Sequence, residues 1–163
     1  MTEIPAGTGG PDTSGHAPGA PAKADLGKRA IALIIDAVIT LVVGFVPILG
    51  GLVATAYWLV RDGLELEFMD HRSIGKKLMK LRPVTLDGGP LDITASIKRN
   101  WIFAISGLAQ LFAMTFIGLI IAIPLWLVAA VLGIIEVVLV LTDDGGRRFG
   151  DKLANTRVIE TDS

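Results

Sequence analysis

Two long apolar stretches, residues 30–60 and 101–141, decide what this chain can fold into. As one straight helix the first would run about 46 Å, well beyond the ~30 Å hydrocarbon core of a bilayer. Pro47, Gly50 and Gly51 punctuate its middle, and such residues mark turns. A helical hairpin is therefore predicted, with helices over about 26–45 and 49–61. The second stretch carries a single ionisable residue, Glu136, and is long enough for two more spans. Gly118 and Pro124 place its break within 115–124, which predicts helices over about 93–116 and 119–141.

The charges test this layout independently. All 15 Lys and Arg lie at the start of the first helix, between the second and third, or after the fourth. The turns on the opposite side, 46–51 and 115–124, carry no charge. By the positive-inside rule both termini and the central loop are expected in the cytoplasm. The expected fold class is an all-α membrane protein with four transmembrane helices arranged as two hairpins. The spans are expected at about 28–46, 48–61, 99–117 and 120–141, within one domain over 26–159. Residues 62–98 form the expected cytoplasmic loop. Residues 1–25, rich in Gly, Pro, Ala, Ser and Thr without apolar periodicity, are expected to be a disordered cytoplasmic tail.

Composition removes several kinds of chemistry. The chain has no cysteine, which excludes disulfides, thiolate metal sites and cysteine nucleophiles. His16 and His71 stand far apart in unlike segments, so no metal site and no cofactor are expected. No serine–histidine, histidine–glutamate or aspartate-dyad spacing appears, and the chain is not expected to be an enzyme. The basic residues flank spans, as topology alone requires, so no nucleic-acid partner is expected. The expected partners are the lipid bilayer and either further copies of the chain or other membrane proteins.

Asp36 and Glu136 fall inside predicted spans. A charge at bilayer depth costs ~2.5–3.5 kcal/mol on insertion scales and normally faces the bundle interior. Each lies seven residues from a charged helix end, Arg29 and Asp143 respectively, hence about 10 Å deep. At equal depth the two carboxylates can face each other and share a proton or grip a cation. The plainer alternative has each satisfied separately and locking the bundle. Arg29 shares a helix face with Asp36, which makes it the expected partner. Glycine and alanine positions such as Gly133 and Ala129 suit close helix packing.

The central loop contains an amphipathic segment over 73–82. Ile74, Leu78 and Leu81 share a face while Lys76, Lys77 and Lys80 lie off it, which predicts contact of these lysines with lipid headgroups. Asp92 is a candidate N-cap for the third helix. Residues 75–84 also echo residues 150–159: Gly75 with Gly150, Lys77 with Lys152, Leu78 with Leu153 and Arg82 with Arg157. Two parallel hairpin repeats would give this pattern, and so would two similar interfacial feet.

These motifs together resemble one family. Arg29 and Asp36 in RAIALIIDAVI, then IGKKLMKLRPV with Gly75 and Lys76, Asp87–Gly88–Gly89, Arg99, and GDKLANTRV with Asp151 are similar to the pattern of the RDD family, small bacterial integral membrane proteins named for one arginine and two aspartates. The resemblance covers roughly 28–159. It implies that Arg29 and Asp36 are the name-giving arginine and first aspartate, with Asp151 or Asp62 as the second. Where the family often has histidine before the last aspartate, this chain has Gly150. It further implies a multi-pass protein of the bacterial cell membrane that transports unidentified ligands, with cation/proton antiport for some members. Two functions follow as expectations. One is transport of a cation, proton or small solute, with Asp36, Glu136 and Arg29 binding it. The other is a non-catalytic membrane scaffold that holds partner proteins through intramembrane polar residues and the basic loop.

Overall fold

The computed structural model describes residues 23–46 and 49–162. The tail expected over 1–25 lies, up to residue 22, outside the described residues, as does the centre of the first turn. Residues 24 and 25 correct the tail's boundary. Ala24 is buried with Ala32, Leu81 and Val158, and the Asp25 carboxylate accepts the Lys28 amide at 2.8 Å, capping the first helix.

The first hairpin is α1 (Leu26–Gly44) and α2 (Leu49–Val60). A short helix, α3 (Ile74–Leu78), and a strand, β1 (Leu81–Thr85), follow. Asp92 caps α4 (Ile93–Asn100), accepting the Ala95 amide at 2.6 Å. The third helix is not continuous. It divides at Trp101, after which α5 (Ile102–Ala113) continues. Trp101 keeps helical angles, but the Ala104 amide bonds its carbonyl three residues back, a local tightening of the ladder. The fourth helix, α6 (Leu119–Thr142), runs unbroken through Pro124. Then come α7 (Phe149–Leu153) and β2 (Thr156–Glu160).

Among the described residues there is one sheet. Its two strands, β1 and β2, pair antiparallel, with Leu81 opposite Glu160 and Val84 opposite Arg157. This ribbon joins the two halves of the chain, and its inner face packs Leu81 and Val158 against Ala32 of α1. The echo between 75–84 and 150–159 is thus a structural repeat of helix, left-handed residue and strand. Lys80 (φ 54°) and Asn155 (φ 52°) occupy the left-handed position in the two copies, where the chain leaves a helix C-terminus.

Helix α6 is long and apolar enough to cross a membrane; α2 and α5 are apolar but shorter. Burial is inverted relative to a water-soluble domain. The largest fully buried side chains include Arg99, Asn100, Asp36, Asp62 and Asp151, while Phe45, Phe116, Ile117 and Ile120 are each at least three-quarters exposed. Water strongly disfavours such an arrangement, and an apolar surround favours it.

Candidate functional site

The buried charges converge at the end of the helix bundle where α3, α7 and the ribbon sit. Asp36, on the buried Ala32–Asp36–Thr40 stripe of α1, is 1% exposed. Its Oδ2 accepts Arg61 Nη1 at 2.6 Å, and its Oδ1 accepts the Gly75 amide at 2.8 Å and the Tyr57 hydroxyl at 3.2 Å. The expected Arg29–Asp36 pair is therefore replaced by Arg61–Asp36. Arg29 turns instead to the Gly146 carbonyl at 2.5 Å and to Asp151 at 3.5 Å. Helical spacing put both residues on one face, but Arg61 reaches the carboxylate from α2. Its guanidinium lies 3.8 Å over the Trp58 ring, a contact that holds it there.

Glu136 has a separate set of partners. Its Oε1 accepts the Gly150 amide at 3.1 Å, and Arg148 approaches its other oxygen at 3.7 Å. Asp36 and Glu136 thus have different arginines and different amides. The two glycines act alike. A Cβ on Gly75 would lie 2.0 Å from the Ala32 carbonyl oxygen, and one on Gly150 would lie 2.0 Å from that of Arg99. Only glycine lets α3 and α7 come this close to the helices beneath them. The likeness of the two halves stops at the carboxylates, which come from α1 in one case and α6 in the other.

Asp62 and Asp151, both fully buried, complete the cluster with Arg99 between them. Arg99 Nη2 is 2.9 Å from Asp151 and its Nε is 3.4 Å from Asp62. Lys76 lies 2.5 Å from the other Asp62 oxygen, and Asn100 donates to Asp62 at 3.2 Å. Ser96 holds the Asp62 amide at 3.2 Å and donates to the Leu59 carbonyl at 2.7 Å. Burial alone would raise the pKa of Asp62, but Lys76, Arg99 and Arg61 together hold it far below the usual carboxylate range. Burial is opposed in the same way at Asp151, by Arg99, Arg148 and Arg29, and there too the pKa is lowered. Burial lowers the Lys76 ammonium to about 7, against the pull of Asp62 and with help from Arg61 and Arg99.

The lysines predicted to touch lipid headgroups divide. Lys76 points inward to Asp62, so it is not a headgroup contact. Lys77 donates to the Phe68 carbonyl at 2.5 Å and Lys80 to the Asp162 carbonyl at 3.1 Å, both on the exposed side. Of the residues singled out in the sequence, Arg29, Asp36, Gly75, Lys76, Arg99, Glu136 and Asp151 belong to the cluster. Arg61, Tyr57, Asn100 and Arg148 belong to it as well and were not anticipated. For two of them a signal was present: Arg61–Asp62 and Arg147–Arg148 are adjacent charges in the polar segments that follow the two apolar stretches.

A cavity of about 590 Å³ opens onto this cluster. Arg29, Asp36, Arg61, Lys76, Arg99, Glu136 and Arg148 line one end, and Leu33, Phe103, Val137 and Val140 line its walls. A second cavity of about 560 Å³ lies between α1, α2 and α5, with Thr40, Thr55, Trp58 and Gln110 in its lining. Phe103 and Ser106 border both cavities. The Phe103 ring lies 4.5 Å from that of Trp58, which lines the second cavity.

The sequence model of the RDD family matches residues 44–155, more than half of the chain. No curated protein and no solved structure matches it. The matched stretch includes Gly75, Lys76, Arg99 and Asp151, while Arg29 and Asp36 precede it. The family is membrane-associated, in keeping with the apolar α6. The chain belongs to the RDD family.

Proposed function

We propose that the chain is a multi-pass protein of the cell membrane, with both termini in the cytoplasm, that binds a small solute at its buried charge cluster and carries it across the bilayer. The observation that carries this reading is the pair of cavities sharing Phe103 and Ser106. In this reading they are the two halves of a path, and the Trp58–Phe103 ring pair is its constriction. Charge argues against a bare cation at the inner end. Asp36 and Glu136 are each already matched by an arginine and an amide donor, whereas five cationic side chains border the cavity. A solute with a negative group suits this end better.

The test is flux in proteoliposomes containing the full chain. Inside-loaded pyranine reports proton movement, and labelled phosphate or acetate reports anion movement, each with and without a pH gradient. Ser106→Leu fills the shared wall without touching the cluster and is expected to abolish the flux while the protein remains folded. A second reading is favoured by the pairing of Asp36 with Arg61 and of Glu136 with Arg148. In it the cluster is a structural lock and the chain a scaffold. Absence of flux of every probe, together with a membrane protein co-purifying at fixed stoichiometry after gentle solubilisation, would decide for the scaffold.

A further inference from the structure

The cluster is unbalanced. Arg29, Arg61, Lys76, Arg99 and Arg148 face Asp36, Asp62, Glu136 and Asp151, five cationic groups against four carboxylates. The surplus is most evident at Arg99. This side chain is 1% exposed and borders the cavity, yet among the described residues its Nη1 has no hydrogen-bond partner. Arg61 Nε, on the same cavity, also lacks one. Buried donors are almost always satisfied, and a guanidinium is an expensive group to leave unmatched. Two buried acceptors of the same cluster, Glu136 Oε2 and Asp151 Oδ1, also lack hydrogen bonds, so it is the excess of cationic side chains on the cavity, five against Asp36 and Glu136, that calls for an anion in the ligand.

The walls say what else that ligand carries. Leu33, Phe103 and Val137 are apolar. Helix α1 packs on α2 and α3, and α6 on α5 and α7, whereas among the described residues α1 and α6 approach each other sparsely at most. Both helices line the cavity, α1 through Ala30 and Leu33 and α6 through Gly133, Val137 and Val140. Two of these lining residues, Leu33 and Val137, are also 47% and 59% exposed, so the cavity opens to the surface beside them. A hydrated inorganic anion gains nothing from such walls, whereas a hydrocarbon chain does.

We propose that the cavity seats the anionic head of a bilayer lipid against Arg99, with its acyl chain lying in the opening between α1 and α6. This rests on reading the cavity as a ligand site and names the class of ligand. The head is expected to lie against the cationic side chains at the inner end of the cavity, and the opening lets the lipid enter from within the membrane rather than through water.

The test uses the full chain purified in a neutral detergent and three probes: phosphatidylglycerol, phosphatidylcholine with the same acyl chains, and inorganic phosphate. Native mass spectrometry counts bound lipid, and thermal melting reports stabilisation. One retained phosphatidylglycerol per chain is expected, with phosphatidylcholine and phosphate at least tenfold weaker. Arg99→Gln also breaks contacts to Asp62 and Asp151 and is expected to compromise folding, so the decisive variant is Gly133→Phe. A Cβ at Gly133 meets nothing within 4 Å, and the ring occupies the apolar part of the cavity. It is expected to keep the melting temperature of the lipid-free protein and to weaken phosphatidylglycerol binding at least tenfold. Equal binding of the two lipids, or phosphatidylglycerol binding unchanged in Gly133→Phe, overturns the proposal, because the lipid is then merely annular. Phosphate binding as tightly as phosphatidylglycerol also overturns it, while leaving the solute-transport reading intact. Loss of flux in the proteoliposome assay with lipid binding retained fails that reading and leaves this one standing.

Discussion

Gly75→Ala measures how closely α3 is tied to α1. The added Cβ would lie 2.0 Å from the Ala32 carbonyl oxygen, 2.9 Å from its carbon and 3.0 Å from Asp36 Oδ1. Two of these atoms are backbone and cannot swing aside, so α3 must withdraw by about 1 Å. Overpacking of this kind costs about 1–3 kcal/mol. Withdrawal also stretches the 2.8 Å bond from the Gly75 amide to Asp36, and losing a bond to a buried carboxylate adds about 1.5–3 kcal/mol. The sum, about 2.5–6 kcal/mol, approaches the entire stability of many small domains. Thermal melting of the full chain in mild detergent, followed by tryptophan fluorescence, should show a midpoint lower by on the order of 10 °C. Gly150→Ala should fall by a similar amount, since its Cβ meets the Arg99 carbonyl at the same 2.0 Å. Gly133→Ala is the control. Its Cβ enters open space inside a helix, where alanine is favoured over glycine by up to ~1 kcal/mol. If Gly75→Ala melts with the Gly133→Ala control, the close approach of α3 to α1 does not carry the stability assigned to it.

Asp36→Asn leaves Arg61 buried without its counter-ion and should destabilise by about 3–5 kcal/mol. Adding Arg61→Gln should recover part of that loss and adding Arg29→Gln should not; recovery with Arg29→Gln instead would contradict the observed pairing. Lys76 gives a pH dependence whose sign follows from its depressed pKa of about 7. Between pH 7 and its unfolded value near ~10.4 the unfolded chain holds the extra proton, so stability rises with pH, by at most about 1.4 kcal/mol per unit. Below pH 7 both states are protonated and this dependence vanishes. Lys76→Met should flatten melting temperature against pH over that range, and an unchanged profile would remove Lys76 as its source. For topology, cysteines introduced at Gly118 should be labelled from outside intact cells and those at Lys77 or Asp162 should not; outside labelling at position 77 would refute the proposed orientation.

What the sequence disclosed was the part governed by local chemistry. Apolar runs and punctuation placed α1, α2, α5 and α6, and Asp92 was recognisable as a cap because its carboxylate acts three residues away. The echo of Gly75 in Gly150 was legible because each copy meets the same steric demand. Partner choice was not legible. Seven-residue spacing placed Arg29 beside Asp36, but spacing along one helix says nothing of Arg61 arriving from the next. The five residues of α3 were too few for an amphipathic reading to orient Lys76. Its direction is set by Asp62, a neighbour only in the folded chain. Charges that close an apolar run look the same in sequence whether they meet headgroups or one another.

The β1–β2 ribbon bears on the order in which the molecule assembles. Its strands pair Leu81 with Glu160, across a span of chain that includes α4, α5, α6 and α7. Closing so long a loop carries an entropic cost that only non-local contacts repay. The helical hairpins involve short loops and form without that cost. The ribbon is therefore expected to zip after the hairpins have met rather than to nucleate their meeting. Substitutions in its facing pairs should speed unfolding and leave the folding rate nearly untouched, so the ribbon acts as a latch on the native state's lifetime.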